Sequence, residues 1–331
     1  MTESPVRWGV LGAAGINAAM VPALLAAPNA ELVAIASRTR AKATAAAELF
    51  GIPEAIEGYE ALLADPRIEA VYVPLPNALH REWAIKAAEA GKHVLCEKPM
   101  AVTAADAREM AAAASASSVL LAEAFMYVQH PRYARIRAII ESGEIGPVRT
   151  IITTFSFDAS EELDHSGFQG AAGGGAVYDV GCYAIHSARY LLKAEPLAVA
   201  AHSSLSALHG DIDMATSALV EFPDGVALLA HVDMWGADTD DIEIIGASGR
   251  ISVPHAFICG PDDGDFSVST SEGTRVEKTA RIDHYVAQVE RFSDAVRGRS
   301  TLLFSADDAI AGAHILERMS VALREHQRIE L

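Results

Sequence analysis

The sequence predicts an α/β domain, built on a parallel sheet covered on both faces, followed by an α+β domain with an open, mostly antiparallel sheet flanked by helices. Three observations carry this reading. Short runs rich in Val, Leu and Ile alternate with helix-like segments as far as about residue 125. Beyond about residue 126 strands dominate and several are joined by turn signals. At 331 residues, 51% hydrophobic and only 21% charged, the chain can bury the core of one large or two ordinary domains. The expected domains are 1–125 and 126–331.

In the first domain the strand candidates are VRWGVL (6–11), ELVAIAS (31–37), AVYVPL (70–75), HVLC (93–96) and VLLAEAF (119–125). INAAMVPALLA, AKATAAAELF, NALHREWAIKAAEAG and TAADAREMAAAA lie between them with helical composition. Strand alternating with helix means βαβ units, whose strands must run parallel. Gly91 is placed to end one helix, and Thr103 with Asp106 to begin the next. In the second domain HPRYARIRAIIESG reads as a helix, and VRTIITTFSF, PLAVAAHSS, MATSALVEF, VALLAHVDM and DIEIIGASGRISV as strands. Pro223-Asp224-Gly225 and Ala247-Ser248-Gly249 are turn signals that imply antiparallel neighbours. One helix is expected at about 182–193 and two more close the chain. An antiparallel sheet can leave one face open, and helices or a second subunit would have to cover it. A homo-oligomer through that sheet, a dimer or a dimer of dimers, is therefore expected.

Composition removes several function classes. The formal charge of −18 opposes phosphate backbones and anionic membranes, so nucleic acid is not an expected partner. MTESPVRWGV has no basic and apolar leader pattern, and no run reaches the roughly 18–20 apolar residues of a membrane span, so no membrane association is expected. Cys96, Cys182 and Cys259 are odd in number and widely spaced, which suggests neither a disulfide framework nor zinc and fits a cytoplasmic protein. The histidines form no metal constellation, so no metal is expected.

Strand one runs into Gly12-Ala13-Ala14-Gly15-Ile16 and then a helix. Such a turn offers backbone N–H groups and the positive end of a helix dipole to a pyrophosphate. Against G-x-G-x-x-G the second and third glycines are Ala14 and Asn17, so a plain strand-to-helix turn is the competing reading. An acid at the end of strand two would hold a ribose 2′-hydroxyl. Here the strand ends in Ser37-Arg38-Thr39-Arg40, and a hydroxyl with a guanidinium suits a 2′-phosphate. NADP(H) is favoured on that ground, NAD(H) is possible, and solvated loop arginines are the alternative. Ligands of such sheets bind beyond the carboxyl ends of the strands. Pro74, Leu75 and Asn77 lie at one such end and Glu97-Lys98-Pro99 at another, which places Lys98 toward the reacting end of a nicotinamide.

The residues GVLGAAGI (9–16), AIASR (34–38), YVPLPNALHREW (72–83), AGKHVLCEKPM (90–100), EAFMY (123–127) and GGGAVYDVGCYAIH (173–186) together resemble the Gfo/Idh/MocA oxidoreductases, over essentially the whole chain. The resemblance implies a Rossmann dinucleotide-binding domain, a second open-sheet domain and an active site between them. By the matching motifs His80 and Glu97 join the cofactor-binding residues, and Lys98 is the lysine of the family's Glu-Lys-Pro. Tyr183 is the acid/base residue, and Asp179 binds a substrate hydroxyl or orients its neighbours. Asp-x-Gly-x-Tyr is similar to the glucose-fructose oxidoreductase, dihydrodiol dehydrogenase and sugar 3-ketoreductase branches; inositol dehydrogenases carry histidine where this chain has Tyr183. His186 is displaced from the usual catalytic histidine and reads as a helix residue. A phenol titrates near pKa 10, and a nearby ammonium such as Lys98 would lower it toward a useful base.

Phe125, Tyr127, His165, Phe168 and Tyr285 are the candidates for substrate contact. Two departures bear on the substrate: Val128 stands where many relatives have arginine, and DASEELDHSGFQGAA lacks a stretch typical of several sugar-acting members. Three functions are expected in order: hydride transfer between NADP(H) and a carbohydrate, polyol or related cyclic alcohol or ketone; a nicotinamide-retaining glycosidase or aldose-aldose type enzyme that oxidises transiently; and a non-catalytic dinucleotide sensor.

Overall fold

The structure is a computed structural model that describes residues 4–161, 173–260 and 262–331. It divides the chain into two compact units: residues 1–126 with 284–313, and residues 127–283 with 314–331.

The first unit has the expected alternation: β1 Val6–Leu11, α1 Asn17–Ala26, β2 Ala30–Ser37, α2 Arg40–Phe50, β3 Glu54–Glu57, α3 Tyr59–Leu63, β4 Ala70–Val73, α4 Asn77–Glu89, β5 His93–Cys96, α5 Ala104–Ala116 and β6 Leu121–Glu123. The sheet order is β3-β2-β1-β4-β5-β6, with every pair parallel. Order reverses beside β1, the point at which doubly wound sheets bind ligands. The central strands read as continuous apolar runs because both faces are covered: Val71, Val73, Val94 and Cys96 join one core cluster, Val10, Tyr72 and Leu95 the other. Thr103 Oγ1 accepts from Asp106 N at 3.1 Å, as the capping pair implies, and Gly91 is left-handed at φ +73. The four-residue strand β3 and the single-turn helix α3 had no signal of their own in the sequence.

The second unit holds α6 Pro131–Ser142, β7 Val148–Asp158, α7 Cys182–Leu192, β8 Ala198–Ser206, β9 Ile212–Glu221, β10 Ala227–Asp233, β11 Trp235–Gly246, β12 Gly249–Pro254, β13 Phe266–Thr270 and β14 Gly273–Glu277. After α8 His284–Val296 and α9 Ala306–Glu325, β15 Ile329–Glu330 completes a nine-stranded sheet. Its order is β14-β13-β12-β11-β7-β10-β9-β8-β15. All neighbours are antiparallel except β7 and β10, which run parallel, Thr150 opposite Ala227 through Ser156 opposite Asp233. Along β7, Ile151, Thr153 and Phe155 are buried while Ile152 and Thr154 are half-buried. The side carrying Ile152 also presents Leu219 and Leu229, each more than a third exposed.

The single boundary expected near residue 125 is modified at the far end of the chain, where α8 and the start of α9 belong to the first unit. Phe292 packs on Trp8 with centroids 5.2 Å apart, Trp8 Nε1 donates to Ser293 Oγ at 3.1 Å, and Arg297 pairs with Glu69 at 2.9 Å. An amphipathic pattern reports that a helix has a buried face, but not which sheet it covers.

Candidate active site

The turn after β1 is shaped for close approach. Gly12 has φ +131, and a Cβ there would stand 2.9 Å from Leu75 Cδ2, so a side chain would be both strained and crowded. Gly15 faces open space at the start of α1, where an added Cβ would meet nothing within 4 Å. Asn17, in the third glycine position, is fully buried and folds back to donate from Nδ2 to Gly12 O at 2.8 Å. The amide thus closes the turn that a third glycine would have closed by compactness. Ala13 and Gly15 are exposed, and Ala14 and Ile16 half-buried. Exposed backbone at a helix N-terminus fits a pyrophosphate.

At the end of β2, Ser37 is buried and Arg38 exposed. Thr39 rather than a basic residue caps α2, accepting from Lys42 N at 3.4 Å. The Arg40 guanidinium donates to Ala55 O and is thereby tied to β3, which leaves Arg38 as the arginine at the strand end best suited to a 2′-phosphate.

Lys98 sits half-buried in the turn directly after β5. Glu97 N donates to Val73 O at 3.2 Å, Tyr72 Oη donates to Glu97 Oε1, and Met100 N donates to Glu123 Oε1 at 2.7 Å. The Lys98-Pro99 peptide is cis. His80, fully buried on α4, ties this turn to the one after β4: Nε2 lies 2.6 Å from Leu75 O and Nδ1 3.0 Å from Pro99 O. Its ring is engaged by backbone carbonyls, which makes it a positioning residue for the two turns. Pro74 and Leu75 are buried and Asn77 is half-buried at the start of α4.

Burial pulls the His80 imidazole down to about 4, and His130, buried in the second unit, is pulled to about 4 by burial and by Arg132. Above that value both are neutral in the fold, where the single N–H of His80 donates to one of its two carbonyls, whereas unfolded histidine binds a proton below about 6.5. The stability they contribute is complete above that pH and is lost as pH falls from 6.5 toward 4. For His80 the full effect is about 3 kcal/mol. Asp213 and Asp240, pushed upward by burial, act in the opposite sense. The urea midpoint of the wild type is expected to fall over this window more steeply than that of His80→Gln, which has no titrating group at that position.

The second unit builds the other chemistry. The chain leaves the glycine run through Gly175, at φ +107, where a Cβ would fall 1.9 Å from Asp213 Oδ1. Asp213 Oδ2 instead accepts from Val177 N at 2.8 Å and from Thr216 Oγ1 at 3.0 Å, so the carboxylate caps a π-helical turn, Val177–Gly181. The turn runs directly into α7. Wide turns of this kind concentrate at functional sites. Asp179 lies within it, half-buried, and Tyr183 follows four residues later in the first turn of α7. Tyr183 is only 4% exposed. Its ring stands 5.4 Å from Phe155, 5.3 Å from Phe257 and 5.8 Å from Tyr127. Phe155 and Phe257 stack on each other at 5.3 Å with an 18° interplanar angle. Asp240 fixes this wall by accepting from Phe257 N at 2.7 Å and Ile258 N at 2.6 Å. The fully buried Arg132 donates to the carbonyls of Pro254, His255 and Ala256.

The remaining substrate candidates separate. Tyr127 is fully buried and its hydroxyl meets His186 Nδ1 at 2.6 Å, which makes it part of the aromatic wall rather than an exposed contact. Phe125 is 3% exposed. Tyr285 stands on α8 edge-on to His284 at 4.7 Å and packs against the Trp8 cluster of the first unit. His165 and Phe168 lie outside the described residues. Among the described residues no group of three or more His, Cys, Asp or Glu side chains is arranged to hold a metal ion. Sequence reasoning missed Asp213, Asp240 and Phe257, which stand far along the chain from the motif they support; only Phe155 had a signal, the inward phase of β7.

A parallel sheet whose order reverses beside β1, with a tight glycine turn feeding a helix, is the architecture of dinucleotide-dependent enzymes. Residues 6–125 match the model of the oxidoreductase family with an NAD-binding Rossmann fold, and residues 133–252 match the C-terminal domain of the same GFO/IDH/MocA group. The chain is 41% identical to an oxidoreductase of Rhizobium meliloti over 90% of each chain. It is 33% identical to D-xylose 1-dehydrogenase (NADP(+)) 2 of Haloferax volcanii, covering 98% of this chain and 100% of that one. The crystal structure of a 3-ketoreductase from Actinomadura kijaniata in complex with NADP and TDP-benzene superposes with a TM-score of 0.89 at 30% identity, covering 97% of this chain and 98% of the other. The chain belongs to the GFO/IDH/MocA oxidoreductase family.

Proposed function

We propose that the protein is an NADP(H)-dependent oxidoreductase that interconverts a secondary alcohol and a ketone on a carbohydrate, polyol or related cyclic compound. The observation that carries this reading is Tyr183 in its aromatic enclosure one helical turn from Asp179, on a helix capped by Asp213. The relatives that act on D-xylose and on a keto-sugar support the substrate class. When bound, the nicotinamide supplies hydride to the substrate carbon or removes it. In the reducing direction Tyr183 Oη gives its proton to the carbonyl oxygen, and the phenolate left behind regains one from solvent. The Lys98 ammonium stabilises the negative charge that grows on that oxygen, and Asp179 accepts a hydrogen bond from a substrate hydroxyl, fixing the ring's orientation.

Arg38 is assigned the 2′-phosphate. Its loss should weaken NADPH binding about 10- to 100-fold, the worth of a charge-assisted hydrogen-bond pair, and leave NADH binding unchanged. Titrating cofactor-stripped wild type and Arg38→Ala with both nucleotides tests this. Equal affinity of the wild type for NADH and NADPH would remove the assignment. A panel of aldoses, inositols, ketosugars and dihydrodiols followed at the nicotinamide absorbance tests the reaction. Tight nucleotide binding with no absorbance change on any compound would instead favour a closed redox cycle or a sensor.

The sheet face carrying Leu219, Leu229 and Ile245, each more than a third exposed, is assigned to a second copy of the chain. Sedimentation at micromolar concentration should give a dimer or larger, and Leu229→Asp should shift it toward monomer; a wild type that sediments as a monomer would exclude the pairing.

A further inference from the structure

Tyr127 and His186 meet inside the second unit, both at least nine-tenths buried, with the hydroxyl 2.6 Å from Nδ1. Burial raises the Tyr127 phenol well above its ordinary range, while burial and Arg189 hold the His186 imidazole well below its own. Both groups are thereby held neutral, and in the Nε2–H tautomer of His186 the phenol donates to Nδ1. His186 comes one turn of α7 after Tyr183 and lies on the same side of the helix. The Tyr127 ring spans the two, 5.6 Å from His186 and 5.8 Å from Tyr183. Tyr133 and Phe257 meet it edge-on at 4.8 Å and 5.2 Å. Tyr127 is thus wedged from several sides, and its hydroxyl fixes its register against α7.

We infer that Tyr127 and His186 act as a positioning pair that holds the Tyr183 ring in the orientation needed for proton transfer. The inference rests on the acid/base reading of Tyr183 above. The bond joins the pair and the Tyr127 ring lies against Tyr183, so the contribution of the pair is geometric. A phenol displaced by a fraction of an ångström loses alignment with the substrate oxygen, and misplacement on the ångström scale costs up to about 10²-fold in rate.

The test is steady-state kinetics with NADPH titration for Tyr127→Phe, His186→Leu and His186→Asn, alongside Tyr183→Phe. Tyr127→Phe keeps the ring and removes the bond; kcat should fall about 10-fold or more with NADPH affinity unchanged and with the limbs of the pH profile where the wild type has them. His186→Leu should behave alike. His186→Asn, whose Oδ1 can accept in place of Nδ1, should recover most of the lost rate. Wild-type kcat in both Tyr127→Phe and His186→Leu while Tyr183→Phe is inactive would overturn the inference and leave the acid/base reading standing. An active Tyr183→Phe would overturn both. A displaced pH limb in Tyr127→Phe would also overturn it by making the pair a proton relay, and so would a parallel loss of NADPH affinity.

Discussion

Tyr183→Phe should lower kcat by about 10²- to 10⁴-fold, the usual worth of a positioned general acid/base, while the Kd for NADPH stays at its wild-type value. The substitution removes one oxygen from a ring that three others enclose, Phe155, Phe257 and Tyr127 at 5.3–5.8 Å, so the enclosure keeps its shape. The phenylalanine ring fills the same space, and the helix keeps the Asp213 carboxylate on Val177 N. Lost rate therefore reports lost proton transfer rather than lost structure. Thermal melting within a degree or two of the wild type should accompany it. If turnover survives, the proton comes from elsewhere and Tyr183 is a wall residue like its neighbours.

Lys98→Met should cost about 10²- to 10³-fold in kcat/KM, comparable to removing one preorganised donor from a developing oxyanion. Methionine retains much of the stem and deletes the charge. The turn that carries it is held independently by Glu97 N on Val73 O, Met100 N on Glu123 and His80 against Pro99 O, none of which involves the ammonium. Arginine at this position restores charge but spreads it over a planar fork, so Lys98→Arg should recover only part of the loss. A wild-type rate in Lys98→Met would show that the charge stabilises nothing in the transition state. Combined with Tyr183→Phe, the losses should fall well short of additive if the two groups serve one proton and one oxygen.

The legibility of these features tracked the range of the forces that make them. Strands β1, β2, β4 and β5 were readable because burial on both faces demands unbroken apolar runs. The turn at Gly12 and the capping pair at Thr103 were readable because a dihedral angle and an N-cap are settled within a few residues. Arg38 was the arginine expected at the cofactor, and the bond from Arg40 to Ala55, a residue in another strand, adds a separate role for Arg40. Tyr127 was read as a candidate substrate contact, and its burial and its contact with His186, 59 residues away, place it in the interior.

By itself the sequence determined the alternation of strand and helix, the glycine turn after the first strand, the strand-end lysine and the tyrosine four residues after an aspartate. These depend on periodicity and on neighbours within a turn or two. The tertiary structure decided the rest: that α8 covers the first sheet, that β7 and β10 run parallel amid antiparallel neighbours, and that Asp213 fills the space a side chain at Gly175 would need. It also decided that Tyr183 stands within rings drawn from β7, the turn at Tyr127 and the loop after β12. Contacts of that kind join residues far apart in the chain, and their stability comes from packing and from satisfied buried polar groups, neither of which has a period that a linear sequence can display.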